Sequence, residues 1–306
     1  MVAVAQYASA VPSQSRTWLA PYAAIGVVWG CSFLFIKLSL GFLTPFGVAF
    51  VRCALGAVTL IVIALVRRAA LPRERIVWWH LWVVAMCLNV VPGVLFALAE
   101  SRTTSILAGI INGLTPLAAL FFIAVVFRDE PISRHQLVGL GVGLVGVLVV
   151  LGAWHGLGAN PWWAIASLLG AVTLYGISFP YARRYLTPRG LAPVSLAAAQ
   201  VVLATLTLLP TFLVDGWNGD AVTLRAGGAA LGLGVFGSGF AYMWNFRVIS
   251  LAGSSIASTV TYLTPVVAVI VGVVFLHESL EWFEPVGGAI VLLGAAIGQG
   301  RFARRS

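Results

Sequence analysis

The chain has 306 residues, 60% of them hydrophobic and only 9% charged, with 18 lysines and arginines against 9 acids for a formal net charge of +9. A soluble domain carries about 25% charged residues, so this chain cannot clothe a globular surface in water. A membrane barrel would show short segments of alternating polarity. Here the apolar runs are long and continuous, so the chain reads as an all-α integral membrane protein whose backbone polar groups are satisfied within each helix.

About 20 apolar residues cross a bilayer, and ten such runs follow in order: 18–40, 46–66, 77–98, 104–127, 133–152, 162–184, 193–214, 226–248, 255–276 and 283–300. Turn residues separate them, as in GFLTP at 41–45, GLGANP at 156–161, LTPRGLAP at 186–193 and DGWNGD at 215–220. Residues 1–17 contain A-S-A at 8–10 but no basic segment before it, so a short cytoplasmic tail is expected rather than a signal peptide. Residues 301–306 read as a basic cytoplasmic tail.

With the N-terminus inside, 14 of the basic residues fall on the cytoplasmic side and four, Lys37, Arg52, Arg102 and Arg225, at outer ends or outside. This asymmetry is the positive-inside pattern of a multi-pass inner-membrane protein with both termini cytoplasmic. Topology accounts for the positive charge, and no nucleic-acid partner is needed. Cys31, Cys53 and Cys87 all fall inside apolar runs and read as small buried hydrophobes, not as a disulfide or metal set.

The chain repeats itself. Leu114-Thr115-Pro116 returns as Leu263-Thr264-Pro265, and, after one residue of slip, Phe127, Glu130, Gly139 and Gly146 meet Phe275, Glu278, Gly287 and Gly294. Upstream, Trp29-Gly30-Cys31-Ser32-Phe33 meets Tyr175-Gly176-Ile177-Ser178-Phe179, and Lys37 stands opposite Arg183. Two five-helix repeats, 18–152 and 162–300, are expected. Five is odd, so the second repeat enters the membrane inverted. Inverted repeats with interrupted helices are built for a substrate site between the halves and for alternating access, though a channel can be built the same way.

These residues carry a resemblance. W-G-x-S-F with Lys37 four residues on, Arg52 early in the second run, the paired L-T-P, and a glutamate followed by G-x6-G in each half resemble the drug/metabolite transporter superfamily, in its EamA-type ten-helix branch. The resemblance spans nearly the whole chain. It implies ten helices, cytoplasmic termini and a central cavity, and the chain is similar to bacterial amino-acid exporters, aromatic ones included.

Polar residues inside membrane spans are costly and mark candidate sites. Ser32, Asn89, Asn112, Tyr175, Tyr242, Asn245 and Tyr262 are candidates for binding an amino-acid substrate through neutral hydrogen bonds, with Trp29 and Trp163 as apolar or cation–π walls. The alternative for each is an interhelical hydrogen bond or, for the aromatics, interfacial anchoring. Pro116 and Pro265 sit near mid-span and read as matched hinges or static kinks. The glycine runs at 139–146 and 227–239 read as close helix packing.

Among the charges, Lys37 can snorkel to the outer surface; Arg52 could attract an anionic group or pair with Glu100 or a helix-end carbonyl, and reads as structural because the family pattern includes it whatever the substrate; Glu130 and Glu278 read as pins at helix ends. No acid lies within a span, Glu100 being at a boundary, so weak or no proton coupling is expected. Phosphorylated substrates would want more basic residues at mid-membrane, and cationic drugs a buried carboxylate. No nucleotide-phosphate loop, protease triad or zinc spacing occurs, so the expected protein is not an enzyme and needs no cofactor or metal. The expected partners are a small-molecule amino acid and the lipid bilayer. Ten helices enclose a cavity in one chain, so no dimer is required. The reading is a secondary exporter of neutral or aromatic amino acids; the alternatives are a same-fold carrier of another metabolite or drug, and a channel.

Overall fold

The computed structural model describes residues 16–127, 134–150 and 160–298. Glu130, Trp154 and the predicted tails, apart from Arg16 and Thr17, lie outside the described residues. Ten helices are present among them: α1 Leu19–Ser39, α2 Pro45–Val66, α3 Arg75–Glu100, α4 Ser105–Phe127, α5 Arg134–Val150, α6 Trp162–Tyr185, α7 Pro193–Asp215, α8 Leu224–Ala252, α9 Ser254–Leu276 and α10 Phe283–Gly298. All but α5 and α10 are long and apolar enough to cross a membrane; those two have 17 and 16 residues. Every expected run is a helix, within a few residues of its expected ends.

Helix starts follow local chemistry. Thr44, Thr104 and Thr223 precede α2, α4 and α8, and each hydroxyl accepts a hydrogen bond from a first-turn amide. Pro45 and Pro193 take first-turn positions where no amide donor is wanted. Large apolar side chains such as Leu65, Val66, Leu213 and Val214 stay exposed, as expected of helix faces that meet lipid.

The packing repeats with the sequence. A Cβ on Gly30 of α1 would lie 2.4 Å from Cβ of Val267 on α9, and one on Gly176 of α6 would lie 2.6 Å from Cβ of Ala118 on α4. Each half's first helix is thus pressed through a glycine onto the other half's fourth helix. The short helices α5 and α10 meet the same way: a Cβ on Gly287 would stand 2.4 Å from the Val150 amide, and one on Gly294 2.4 Å from the Gly143 amide. Such contacts need residues without side chains, because membrane helices gain by dispersion at close range rather than by leaving water. The fold is two inverted five-helix repeats around a central cavity.

Four helices depart from regular α geometry. α3 widens to a π turn at Met86–Val90, and α8, the third helix of the other half, does so at Leu233–Phe240. α4 ends its first segment at Asn112, restarts at Thr115 and closes in a π turn at Ile123–Phe127. α9 passes through a 3-10 turn at Thr259–Tyr262 before restarting at Leu263. The Leu-Thr-Pro motif therefore marks helix breaks. Pro116 and Pro265 are not mid-helix kinks: each stands in the first turn of a new segment, where a missing amide donor costs little.

Candidate functional site

A cavity lies between the halves, lined by Trp29, Ser32, Phe33, Ile36, Arg52, Leu88, Phe96, Asn112, Tyr175, Phe179, Tyr242 and Thr261. Its open space is about 30 Å³. By that measure one water needs about 10–15 Å³, so the site is closed down around its own side chains.

The π segment of α8 organises one wall. Its Gly237 carbonyl accepts from the Trp29 indole Nε1 at 3.1 Å, and its Ser238 Oγ accepts from Arg52 Nε at 3.1 Å. Gly56 of α2 lets Ser238 approach, since a Cβ there would lie 2.8 Å from Ser238 Cβ. Tyr242, one turn further along α8, donates to the Leu88 carbonyl in the α3 π turn at 3.2 Å and sets its ring edge-on to Trp29 at 5.9 Å. That bond ties α8, just past its π turn, to the π turn of α3. π turns recur at functional sites because they displace side chains from the regular helical surface.

The helix breaks form the second wall. Asn112 Nδ2 donates to Thr264 Oγ1 at 3.0 Å, and Thr115 Oγ1 donates to Asn112 Oδ1 at 3.2 Å. Thr264 in turn donates to the Thr261 carbonyl at 2.8 Å. A Cβ on Gly113 would lie 3.1 Å from Cγ of Pro265, so the two breaks are in contact. Phe96 packs beside Tyr175 at 5.6 Å and edge-on to Phe33 at 5.5 Å, completing an aromatic side.

Of the residues expected to bind substrate, Trp29, Ser32, Asn112, Tyr175 and Tyr242 line this cavity. Asn89, Trp163, Asn245 and Tyr262 do not. Asn89 accepts from Gln200 Nε2, tying α3 to α7, while Asn89 Nδ2 and Gln200 Oε1 find no protein partner. Asn245 is buried on α8 with its Oδ1 unbonded. Trp163 is half-buried in the first turn of α6, and Tyr262 closes the 3-10 turn of α9 beside cavity-lining Thr261.

Of the roles open to Arg52, pairing with Glu100 or a helix-end carbonyl is not seen: its Nε bonds Ser238, and it lines the cavity. Lys37 does not snorkel: its Nζ donates to the Glu100 and Thr103 carbonyls at 2.6 and 2.7 Å, closing the C-terminus of α3. Its repeat mate Arg183 lies against Gly253, where α8 gives way to α9. Glu100 does end its helix, but it is 0% exposed and neither carboxylate oxygen has a hydrogen-bond partner. Glu278 accepts from Ser105 N at 2.9 Å, Ser105 Oγ at 2.8 Å and Ile106 N at 3.1 Å, capping the start of α4 from the other half.

The model of the EamA-like transporter family matches this chain twice, at residues 18–152 and 162–297. Similar proteins include the "Uncharacterized inner membrane transporter YedA" of Escherichia coli (strain K12), 26% identical over 280 residues, or 90% of this chain and 88% of that one. An "Uncharacterized transporter" of Archaeoglobus fulgidus is 28% identical over 273 residues, covering 88% and 94%. "Protein PecM" of Dickeya dadantii is 25% identical over 232 residues, covering 74% and 76%. The fold is shared with a solved crystal structure at a TM-score of 0.70 and 21% identity, over 94% of this chain and 99% of that one. The chain belongs to the EamA-like transporter family and is a membrane transporter.

Proposed function

We propose that the protein exports amino acids, neutral and aromatic ones foremost, across the bacterial inner membrane by alternating access, with both termini in the cytoplasm and without strong proton coupling. One observation carries this reading. The cavity between the halves combines aromatic walls with neutral hydrogen-bonding groups, Ser32, Asn112, Tyr175, Tyr242 and Thr261, a lining that suits a small solute with an apolar side chain. The paired breaks in α4 and α9 beside it support a hinge role for Pro116 and Pro265. One chain encloses the site, so a monomer suffices.

The test is counterflow in proteoliposomes. Vesicles are preloaded with one unlabelled amino acid at a time, and a labelled neutral amino acid is added outside with no proton gradient. Accumulation driven by the internal substrate is expected; its absence with folded, inserted protein would move the substrate to another class or the protein to a channel.

A second reading, proton-coupled exchange, is favoured by Glu100. It is fully buried near the outer end of α3 with both oxygens unbonded, and intramembrane carboxylates serve as proton sites. Uptake that appears only after a pH step, and is lost in Glu100→Gln, would select it.

A further inference from the structure

Arg52 is a buried cation with almost nothing in the protein to neutralise it. It sits two turns into α2, is 5% exposed, and lines the cavity. A guanidinium has five N–H donors in a planar fork. Nε is bound to Ser238 Oγ at 3.1 Å. Among the described residues no other hydrogen bond is made by Arg52, and no carboxylate stands within ion-pair distance of it. The titratable groups around it are Tyr242 on α8, Tyr175 on α6, Cys53 beside it and Glu100 at the end of α3. The one acid in that set, Glu100, makes no hydrogen bond to Arg52 and stands outside ion-pair distance of it.

A charge held out of water and left unpaired is strongly unfavourable, and a matching anion bound in good geometry offsets part of that cost. The bond from Nε to Ser238 fixes the plane of the fork while leaving both Nη groups for another acceptor. Two parallel N–H donors are the match for a carboxylate, which arginine binds bidentately. The cavity has room, at about 30 Å³, for two or three water-sized groups. The rest of a substrate enters as the halves part.

We infer that Arg52 is the anchor for the carboxylate of the transported solute, with Ser238 as its positioning residue. The carrier then selects solutes that keep a free carboxylate and passes over their amides and decarboxylated amines. This rests on the amino-acid reading above and specifies which end of the amino acid the protein holds.

The experiment is counterflow of labelled phenylalanine, or of leucine if that is the better substrate, in wild-type proteoliposomes. Unlabelled amino acid, its amide and its decarboxylated amine compete at equal concentration. Only the free amino acid is expected to compete well, with the other two weaker by about tenfold or more, the scale of losing a charge-assisted hydrogen bond. Equal competition by all three overturns the inference without any variant.

Arg52→Gln is expected to lower transport by about tenfold or more and to erase discrimination against the amide, with Arg52→Lys intermediate because it keeps the charge and loses the fork. Ser238→Ala is expected to raise KM with little change in the maximal rate. If folded Arg52→Gln still transports within about twofold of wild type and still rejects the amide, the carboxylate is held elsewhere and the amino-acid reading stands. If the wild type counterflows no amino acid at all, the amino-acid reading itself is lost, and this inference with it.

Discussion

Asn112 donates from its side-chain amide to the hydroxyl of Thr264 at 3.0 Å, so the break in the fourth helix is bonded to the break in the ninth. Both residues are buried, and Asn112 uses both ends of its amide. Asn112→Ala is expected to cost about 1–3 kcal/mol, because it strands the Thr115 hydroxyl and takes one donor from that of Thr264. Thr264→Ala should couple to it by about 0.5–3 kcal/mol in a double-mutant cycle. Denaturation of the purified protein in detergent checks this; strict additivity would show that the bond does not form.

The glycine contacts between the halves give a second expectation. Gly30→Ala and Gly176→Ala each place a methyl within 2.6 Å of a side chain across the interface. Overpacking of this kind costs about 1–3 kcal/mol, and both variants should melt at lower temperature than wild type. Gly141→Ala is the control, since nothing lies within 4 Å of a Cβ there, and it should be neutral or slightly stabilising. A melting series of the three proteins would separate interface packing from general intolerance of glycine loss.

Glu278 reaches across from the second half to cap α4 with three hydrogen bonds. Glu278→Ala removes both the acceptor and the favourable charge at a helix N-terminus, a loss of about 1–3 kcal/mol. Glu278→Gln keeps one acceptor oxygen and should lose less. Hydrogen exchange at Ser105 and Ile106 should speed up more in the alanine variant than in the glutamine variant.

Lys37 closes the end of α3 with two hydrogen bonds, to the backbone carbonyls of Glu100 and Thr103. Lys37→Met leaves both carbonyls without that donor, at a cost of about 1–3 kcal/mol. The variant should melt below wild type, and Lys37→Arg, which keeps donors at the same end, should lose less. Equal melting of Lys37→Met and wild type would show that these bonds do not hold the helix end.

The spans and their duplication were legible because they are written in composition and in short local words. Long apolar runs have one meaning in a bilayer, and Leu-Thr-Pro recurs at matched places. The break itself was not legible, because a proline permits a mid-helix kink and a first-turn position equally. The π turn of α8 hides in Leu233–Phe240, a glycine-rich stretch that also serves close packing. Glu278 was recognised as a helix-end pin, yet its partner Ser105 lies 173 positions away, and no local pattern carries that. The candidate site was read by residue type, and type finds polar residues without telling which face they take. Tyr175, Tyr242 and Asn112 turn to the cavity, while Asn89 turns to Gln200. Arg52 was undervalued because its destination depends on Ser238, 186 positions on. Glu100 stands at a helix end, where water was the expected neighbour, but adjoining helices cover it.

The first helix of each half rests on the fourth helix of the other, through Gly30 and Val267 on one side and Gly176 and Ala118 on the other. Neither half can bury that glycine face by itself. A polypeptide of half this length, built on the same plan, would find the missing surface only on a sister molecule threaded through the bilayer the other way up. Joined in one chain, the two halves hold that mixed orientation together.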